Sequence, residues 1–496
     1  MTPKKLLLVH PPQAGLLEGF ASGLIALANF VSGEDPGAHV ELVDLGLNRA
    51  DDIEQEIALF LGPSEVPPFI GITTTTATYQ GALRVAEVVK RLNRVAVVVL
   101  GGHHASAQAD VVLSRHDCVD YVIRGEGEIA LATLLRLYPD VAEVPNLSYR
   151  QGSGIRHNAT APLLAQDQLD RLPATFRGRG LRSAPGKFDH ATYVSARGCP
   201  LKCAFCAVAN ERIRSKSVDA VVDDLRVLIS ELGYRRIAIE DNFFAHSPKR
   251  TLELCAALSG LRRELQFSWD CQTRVESMRR PDIVRAMEAA GCEAAYLGIE
   301  SLHRDQLLYL AKTHSPDAYV RALEEEVLPQ LLRSRIDCYM NIQVGLPGEG
   351  TTHRESTLGA LSRYGQLAVA HGKSILIFPQ LHVVYPGTRH FQDALAQGRF
   401  GPLGADVFEA FTAWEERQEP VLRWLGAHFA HGTGGIPEGI LARDQLRQGC
   451  FQVDADAVLS IVSYLEAIEA IEGISVFRYG RYLAPSTASK ELCGTK

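Results

Sequence analysis

The chain has 496 residues, too many for one ordinary domain at roughly 100–200 residues each, so two to four domains are expected. Its 58 acidic and 51 basic residues leave a net charge of −7, which argues against the basic excess of a nucleic-acid surface. At 46% hydrophobic and 22% charged it is neither disordered nor fibrous, and a soluble multidomain globular protein is expected.

The N-terminus, MTPKKLLLVHPP, has too short an apolar run for a secretory signal. The longest apolar stretch, Leu16 to Val31, contains Glu18 and Asn29, so no membrane span is expected and the cytoplasm is the expected location. Over the first 145 residues short apolar runs alternate with helical patterns. Strands are expected at 5–10, 39–45, 69–76, 95–102 and 121–125, with helices over 16–31 and 77–92. Such alternation predicts a doubly wound, Rossmann-like parallel sheet, which binds ligands at the carboxyl ends of its strands. Those ends carry HPP, the Thr73–Thr76 run, GGHH (101–104) and RGEGE (124–128).

Residues 146–188, with QGSG at 151–154 and RGRG at 177–180, read as a linker. A second alternation over 189–390 has strands near 192–196, 236–240, 266–271, 294–300, 337–345 and 375–384, and helices over 218–232 and 316–332. Six β/α units fall short of the eight of a closed barrel, so an open, partial (β/α)6 barrel is expected. Residues 391–496 read as a small, mainly helical C-terminal region that caps the substrate, with a helix near 455–471, another around Trp414 and Trp424, and the loop HGTGG (431–435).

Of ten cysteines, Cys199, Cys203 and Cys206 crowd into RGCPLKCAFC, in the loop after the first strand of the second alternation. Three thiolates at this spacing can hold three irons of a 4Fe-4S cluster and leave the fourth open to another ligand. A zinc site would want a fourth protein ligand in a paired CxxC pattern, and none follows. Cys271 and Cys338 are more readily small apolar fillers than site residues. Tyr296, Tyr339 and Tyr385 sit at or near strand ends and suit packing or substrate contact equally.

With Phe205 between the second and third cysteine, this stretch resembles the radical S-adenosylmethionine (SAM) enzymes. The resemblance continues along the strand ends and implies SAM contacts from Phe205, from Glu240 and Asp241 of AIEDNFF, and from Arg274 of DCQTR. It also implies them from Glu300 and Ser301 of YLGIES and from Gly345 of QVGLPGE. The first 145 residues resemble the cobalamin-binding domain found ahead of such barrels. That implies cobalamin contacts from Pro11, Pro12, Thr73, Thr74, Thr75, Thr76, Gly101, Gly102, His103, Gly125, Glu126, Gly127 and Glu128. One departure matters: the Asp-x-His-x-x-Gly signature of many cobalamin proteins is absent, and Pro12 stands where its histidine would be. Cobalamin is therefore expected without a histidine of that loop on cobalt.

The resemblance implies a cobalamin-dependent radical SAM C-methyltransferase with a 4Fe-4S cluster, SAM and cobalamin. Its partners would be a small-molecule or natural-product substrate and an electron donor such as flavodoxin or ferredoxin, with no membrane or nucleic acid. A cyclisation or rearrangement enzyme using the same cofactors is the alternative. A methylthiotransferase fails on the cysteine count, because residues 1–198 hold only Cys118. A cobalamin sensor would need neither the cysteine triplet nor Glu300. No residue stands out as a catalytic acid, base or nucleophile.

Overall fold

The computed structural model describes residues 4–12, 22–45, 52–62, 67–176, 190–397 and 455–476. The RGRG and HGTGG stretches, Trp414 and Trp424 lie outside the described residues. Two compact units emerge, the first built on residues up to 176 with 385–397 and the second on 190–384 with 455–476.

In the first unit β1 (Lys5–His10), β2 (His39–Asp44), β3 (Phe69–Thr73), β4 (Val97–Gly101) and β5 (Tyr121–Ile123) lie parallel in the order β2-β1-β3-β4-β5. Leu6 and Leu8 pack with the helices Ser22–Glu34 and Glu128–Leu137, while Leu7 and Val9, on the opposite face, are equally buried. A strand covered on both faces reads as a continuous apolar run, hence KLLLV. The helix Tyr79–Leu92 buries Ala82, Val85, Ala86 and Val89 along one stripe and ends on Lys90 and Arg91, opposite the negative end of its dipole. The strand order reverses between β1 and β3, so the crevice of a doubly wound sheet opens at their carboxyl ends.

The segment read as a linker begins otherwise. β6 (Leu147–Gln151) and β7 (Gly154–His157) form an antiparallel hairpin that extends the sheet beyond β5. QGSG is its two-residue turn, with Gly152 at φ +61°. All of β7 except Ile155 is exposed, so the apolar alternation that marks a strand is missing.

In the second unit β8 (His190–Tyr193) is followed by β9 (Ala196–Arg197) and β10 (Arg214–Ser215), which form a two-stranded sheet among the described residues. The main sheet continues with β11 (Arg236–Ile239), β12 (Ser268–Thr273), β13 (Cys292–Glu300), β14 (Asp337–Val344), β15 (Ile375–Leu381) and β16 (Ile474–Val476). All strands are parallel, in the order β8-β11-β12-β13-β14-β15-β16, and among the described residues β8 and β16 are the two edges of an open sheet, as expected.

The seventh strand comes from the C-terminal region, which is thus not purely helical: the helix Ala455–Glu469 leads into β16. A Cβ on Gly473 (φ +79°) would lie 2.3 Å from the Gly365 carbonyl, and one on Gly365 would lie 2.1 Å from the Glu472 carbonyl. Backbone-to-backbone packing of that kind requires glycine on both sides. Cys271 and Cys338 lie on the face with Ile239, Ala295 and Ile375, almost wholly buried, and serve as core. Tyr296 and Tyr339 occupy the opposite face, edge to face at 4.9 Å, with Phe378 beside both.

Candidate functional site: a cysteine loop wired to the strand ends

β9 and β10 pair through Ala196–Ser215 and Arg197–Arg214, so residues 198–213 leave and return at one place. Gly198 makes the exit turn at φ +82°, where a Cβ would come within 2.5 Å of the Arg212 carbonyl. Inside the loop the Glu211 amide donates to the Cys199 carbonyl (2.8 Å), and the Ala204 amide donates to the Leu310 carbonyl (2.9 Å). Cys199 and Cys203 are buried and Cys206 is half-buried. Burial pushes the Cys199 thiol up, and that of Cys206 up to about 11. These thiols therefore keep their protons until a metal displaces them.

Asp241 props this loop from below. Its carboxylate accepts from the Ser195 amide (2.6 Å), the Ser195 hydroxyl (2.6 Å) and the Ala196 amide (2.8 Å), and it is fully buried. Asp241 thereby fixes the start of β9. Glu240, expected beside it, is exposed at the end of β11. Phe205 is half-buried within the cysteine loop.

Arg274 follows β12 and reaches the cysteines. Its Nη1 donates to Cys203 Sγ at 3.5 Å, while Nε and Nη2 bind Glu276 (both 3.2 Å) and Nη2 also donates to the Lys312 carbonyl (2.7 Å). The carboxylate that pairs with Arg274 is supplied by the chain itself. A guanidinium aimed at sulfur suits a loop whose sulfurs become anionic, so the donor set fits an iron–sulfur cluster.

Glu300 ends β13 at φ +67°, a left-handed conformation that costs a non-glycine residue roughly 1–2 kcal/mol. The ladder with β14 slips there, between Gly298 and Glu300. A slip plus a left-handed residue re-aims a strand-end side chain, and such strain gathers at functional sites. The carboxylate accepts from Lys312 Nζ (3.0 Å) and Gln343 Nε2 (3.0 Å), and Gln343 Oε1 lies 2.7 Å from His382 Nδ1. A carboxylate offers about four lone-pair positions, so two remain for a ligand. A Cβ at Gly298 would sit 2.8 Å from Lys312 Nζ and 2.9 Å from Glu300 Oε1, so a side chain there would push on this ion pair.

Ser301 turns inward instead: its hydroxyl donates to Gln306 Oε1 (2.6 Å) and accepts from the His303 amide (3.1 Å). Gly345, at φ +74°, donates its amide to Glu349 Oε2 (2.6 Å). Cys203, Arg274, Lys312, Glu300, Gln343 and His382 thus form one contact chain across the carboxyl ends of β12 to β15. Gln343 opens the QVGLPGE stretch but was not expected as a site residue, and Lys312 and His382 carry no motif of their own.

In the first unit the expected cobalamin residues gather at the carboxyl ends of β1, β3, β4 and β5. Pro11 is buried and Pro12 half-buried, and the Pro12 carbonyl presses on Gly81, where a Cβ would come within 2.2 Å. Thr74 is an internal staple: its hydroxyl donates to the Gly101 carbonyl (2.7 Å) and accepts from the Ala105 amide (3.0 Å). Thr75 pairs with Thr78, and Thr76 Oγ1 lies 3.1 Å from His104 Nδ1. Glu128 is buried and Glu126 half-buried, its carbonyl accepting from Asn146 (2.9 Å).

Exposed Thr75, His103 and Gly125, with half-buried Thr73, Gly101, Gly102 and Gly127, are left to form the rim. Glycines at 101, 102, 125 and 127 keep that rim low, which suits a broad flat ligand. His104 stacks on Tyr79 at 4.1 Å, and burial lowers its pKa to about 4. It is a neutral core residue. His10, at the end of β1, is buried with its Nδ1 2.9 Å from Asp44.

With this geometry in hand, comparison with known proteins is direct. Residues 18–135 match the B12 binding domain and residues 193–360 match the radical SAM superfamily. The chain is a B12-binding radical SAM protein. Such a protein takes a 4Fe-4S cluster and SAM in the second domain and cobalamin in the first. It is 27% identical over 412 residues, 80% of this chain and 84% of the relative, to the uncharacterized methyltransferase PH0819 of Pyrococcus horikoshii. It is 26% identical over 245 residues to the anaerobic magnesium-protoporphyrin IX monomethyl ester cyclase of Cereibacter sphaeroides, 47% of this chain but only 40% of that enzyme. Among solved structures, the radical SAM methyltransferase TsrM from Kitasatospora setae, determined with cobalamin and a 4Fe-4S cluster, superposes with a TM-score of 0.65 at 18% identity. That match covers 80% of this chain and 79% of TsrM, and at such identity it shows the fold.

Proposed function

We propose that this B12-binding radical SAM protein is a C-methyltransferase acting on an unactivated carbon of a small-molecule substrate. The observation that carries the reading is the contact chain from Cys203 through Arg274 and Lys312 to Glu300, in a chain that also has a B12-binding domain. When bound, the reduced cluster with SAM supplies a radical that removes hydrogen from carbon, and cobalamin supplies the methyl group.

In this reading Cys199, Cys203 and Cys206 hold three irons. Arg274 donates to the Cys203 sulfur and steadies its charge. Lys312 and Gln343 orient the Glu300 carboxylate, whose remaining lone pairs accept from the ribose hydroxyls or the amine of SAM. The Gly345 turn allows close approach of the adenine. Thr73, Thr75, Gly101, Gly102, His103, Gly125 and Gly127 line the corrin.

The relative from Pyrococcus horikoshii, named a methyltransferase, supports methyl transfer. The cyclase relative from Cereibacter sphaeroides favours a second reading, ring formation with the same cofactors. The reducing electron would come from a flavodoxin or ferredoxin. No described helix is long and apolar enough to cross a membrane, and unpaired thiols persist in the cytoplasm, where we locate the protein.

The test on the first domain is spectroscopic. Full-length protein loaded with hydroxocobalamin and reduced to cob(II)alamin is expected to show no superhyperfine splitting from a protein histidine. His103→Ala is expected to leave cobalamin affinity within a few-fold. Splitting from a protein nitrogen that disappears in His103→Ala would place that histidine on cobalt and overturn the expectation.

A further inference from the structure

Outside the cysteine loop, one group of side chains in the second unit has the composition of a metal site. His303 and Asp305 follow β13, and His353 lies in the first turn of the helix Thr351–Ala370, which follows β14. One potential ligand atom from each lies within 4.8 Å of the others. The imidazoles meet edge to face at 4.7 Å between centroids, and His353 Nε2 lies 2.9 Å from Asp305 Oδ2. The two histidines are half-buried and Asp305 is exposed.

His303 is already set as a ligand. Its Nε2 lies 2.7 Å from the His353 carbonyl, a group that can only accept, so the proton sits on Nε2 and the lone pair on Nδ1. A metal-binding histidine almost always donates its other ring N–H in this way. His353 now receives the Gly350 amide on Nδ1 at 3.3 Å and shares its Nε2 proton with Asp305. With a metal on Nε2 the ring proton moves to Nδ1, giving the other neutral tautomer with no net change in protonation. The ring gives up its bonds to the Gly350 amide and to Asp305, and both it and the Asp305 carboxylate gain a bond to the metal. Ligand atoms around a tetrahedral zinc stand about 3.3 Å apart, so small rotations of the exposed Asp305 and of His303 complete the set.

We infer that His303, Asp305 and His353 bind a divalent transition ion of zinc type, with one position left to water. Two imidazoles and one carboxylate suit zinc, whereas calcium and magnesium prefer all-oxygen sets. The ion would clip the loop after β13 to the helix after β14. The His303 amide already donates to Ser301 Oγ (3.1 Å), and the Gly345–Gly350 turn leads into that helix, so the clip stiffens two loops that flank Glu300. The inference stands independently of which reaction the enzyme performs.

Full-length protein is first loaded with its iron–sulfur cluster, so that the three cysteines cannot compete for zinc. It is then incubated with Zn2+, desalted, and analysed for zinc and iron together. Wild type is expected to retain about one zinc per chain and to gain thermal stability with zinc. Asp305→Asn and His353→Gln, with unchanged iron, are expected to retain almost none and to show no zinc-dependent shift in Tm. Wild type holding no more zinc than these variants, or variants holding the same equivalent with iron unchanged, would overturn the site.

Discussion

Replacing Cys203 by alanine is expected to abolish cluster binding: reconstituted protein falls from roughly four irons per chain to nearly none, and SAM cleavage stops. Cys199→Ala and Cys206→Ala should do the same, because two thiolates cannot hold a cluster that needs three. Cys203 is also the sulfur that meets Arg274 Nη1 at 3.5 Å, so its loss also removes one partner of a buried guanidinium that keeps Glu276 and the Lys312 carbonyl. Arg274→Met separates the two effects. It keeps all three ligands, so iron should load normally. The cluster potential should then move to more negative values, because a hydrogen bond to a ligand sulfur stabilises the reduced, more anionic state. Normal iron content in all three alanine variants would remove these cysteines from the site.

The second large effect is expected at Glu300. Glu300→Ala should weaken SAM binding about 10–100-fold, the loss of a charge-assisted acceptor worth roughly 1.5–3 kcal/mol. It should also lower Tm. Lys312 is 4% exposed and faces Glu300, and removing one partner of a buried ion pair typically costs about 3–5 kcal/mol. Glu300→Gln distinguishes binding from folding, since the amide keeps volume and one acceptor while discarding the charge. Isothermal titration with SAM on cluster-loaded protein reads both variants. Wild-type affinity in Glu300→Gln and Glu300→Ala, with iron content intact, would take Glu300 out of the SAM site.

The doubly wound first sheet, the open second sheet and the cysteine loop follow from patterns a sequence displays openly. Apolar runs such as KLLLV mark strands covered on both faces, and three cysteines in eight residues mark a metal loop. What escaped notice depends on partners distant along the chain. Asp241 and Glu240 are adjacent acids at a strand end, yet one is fully buried under Ser195 while its neighbour is exposed. Register decides between them, and no local signal carries register. Lys312 belongs to the site only because the strand slip at Glu300 turns a carboxylate toward it. β6 and β7 were hidden because exposed polar edge strands resemble loops. β16 was hidden because its three residues follow a helix, far from the strands it joins.

The most direct test of methyl transfer is the count of nucleoside products per turnover. With its substrate and an electron donor, a methyltransferase of this kind consumes two molecules of SAM. One supplies the hydrogen-abstracting radical and leaves 5′-deoxyadenosine, and the other supplies the methyl group and leaves S-adenosylhomocysteine. Radical and methyl donor must both come within near-contact distance of one carbon, which ties the two events together. Chromatography of the quenched reaction should therefore give 5′-deoxyadenosine and S-adenosylhomocysteine in a ratio of about one to one, matched by a product heavier by one CH2 group. Deoxyadenosine without matching S-adenosylhomocysteine, alongside an unmethylated product, would contradict methyl transfer and favour ring formation.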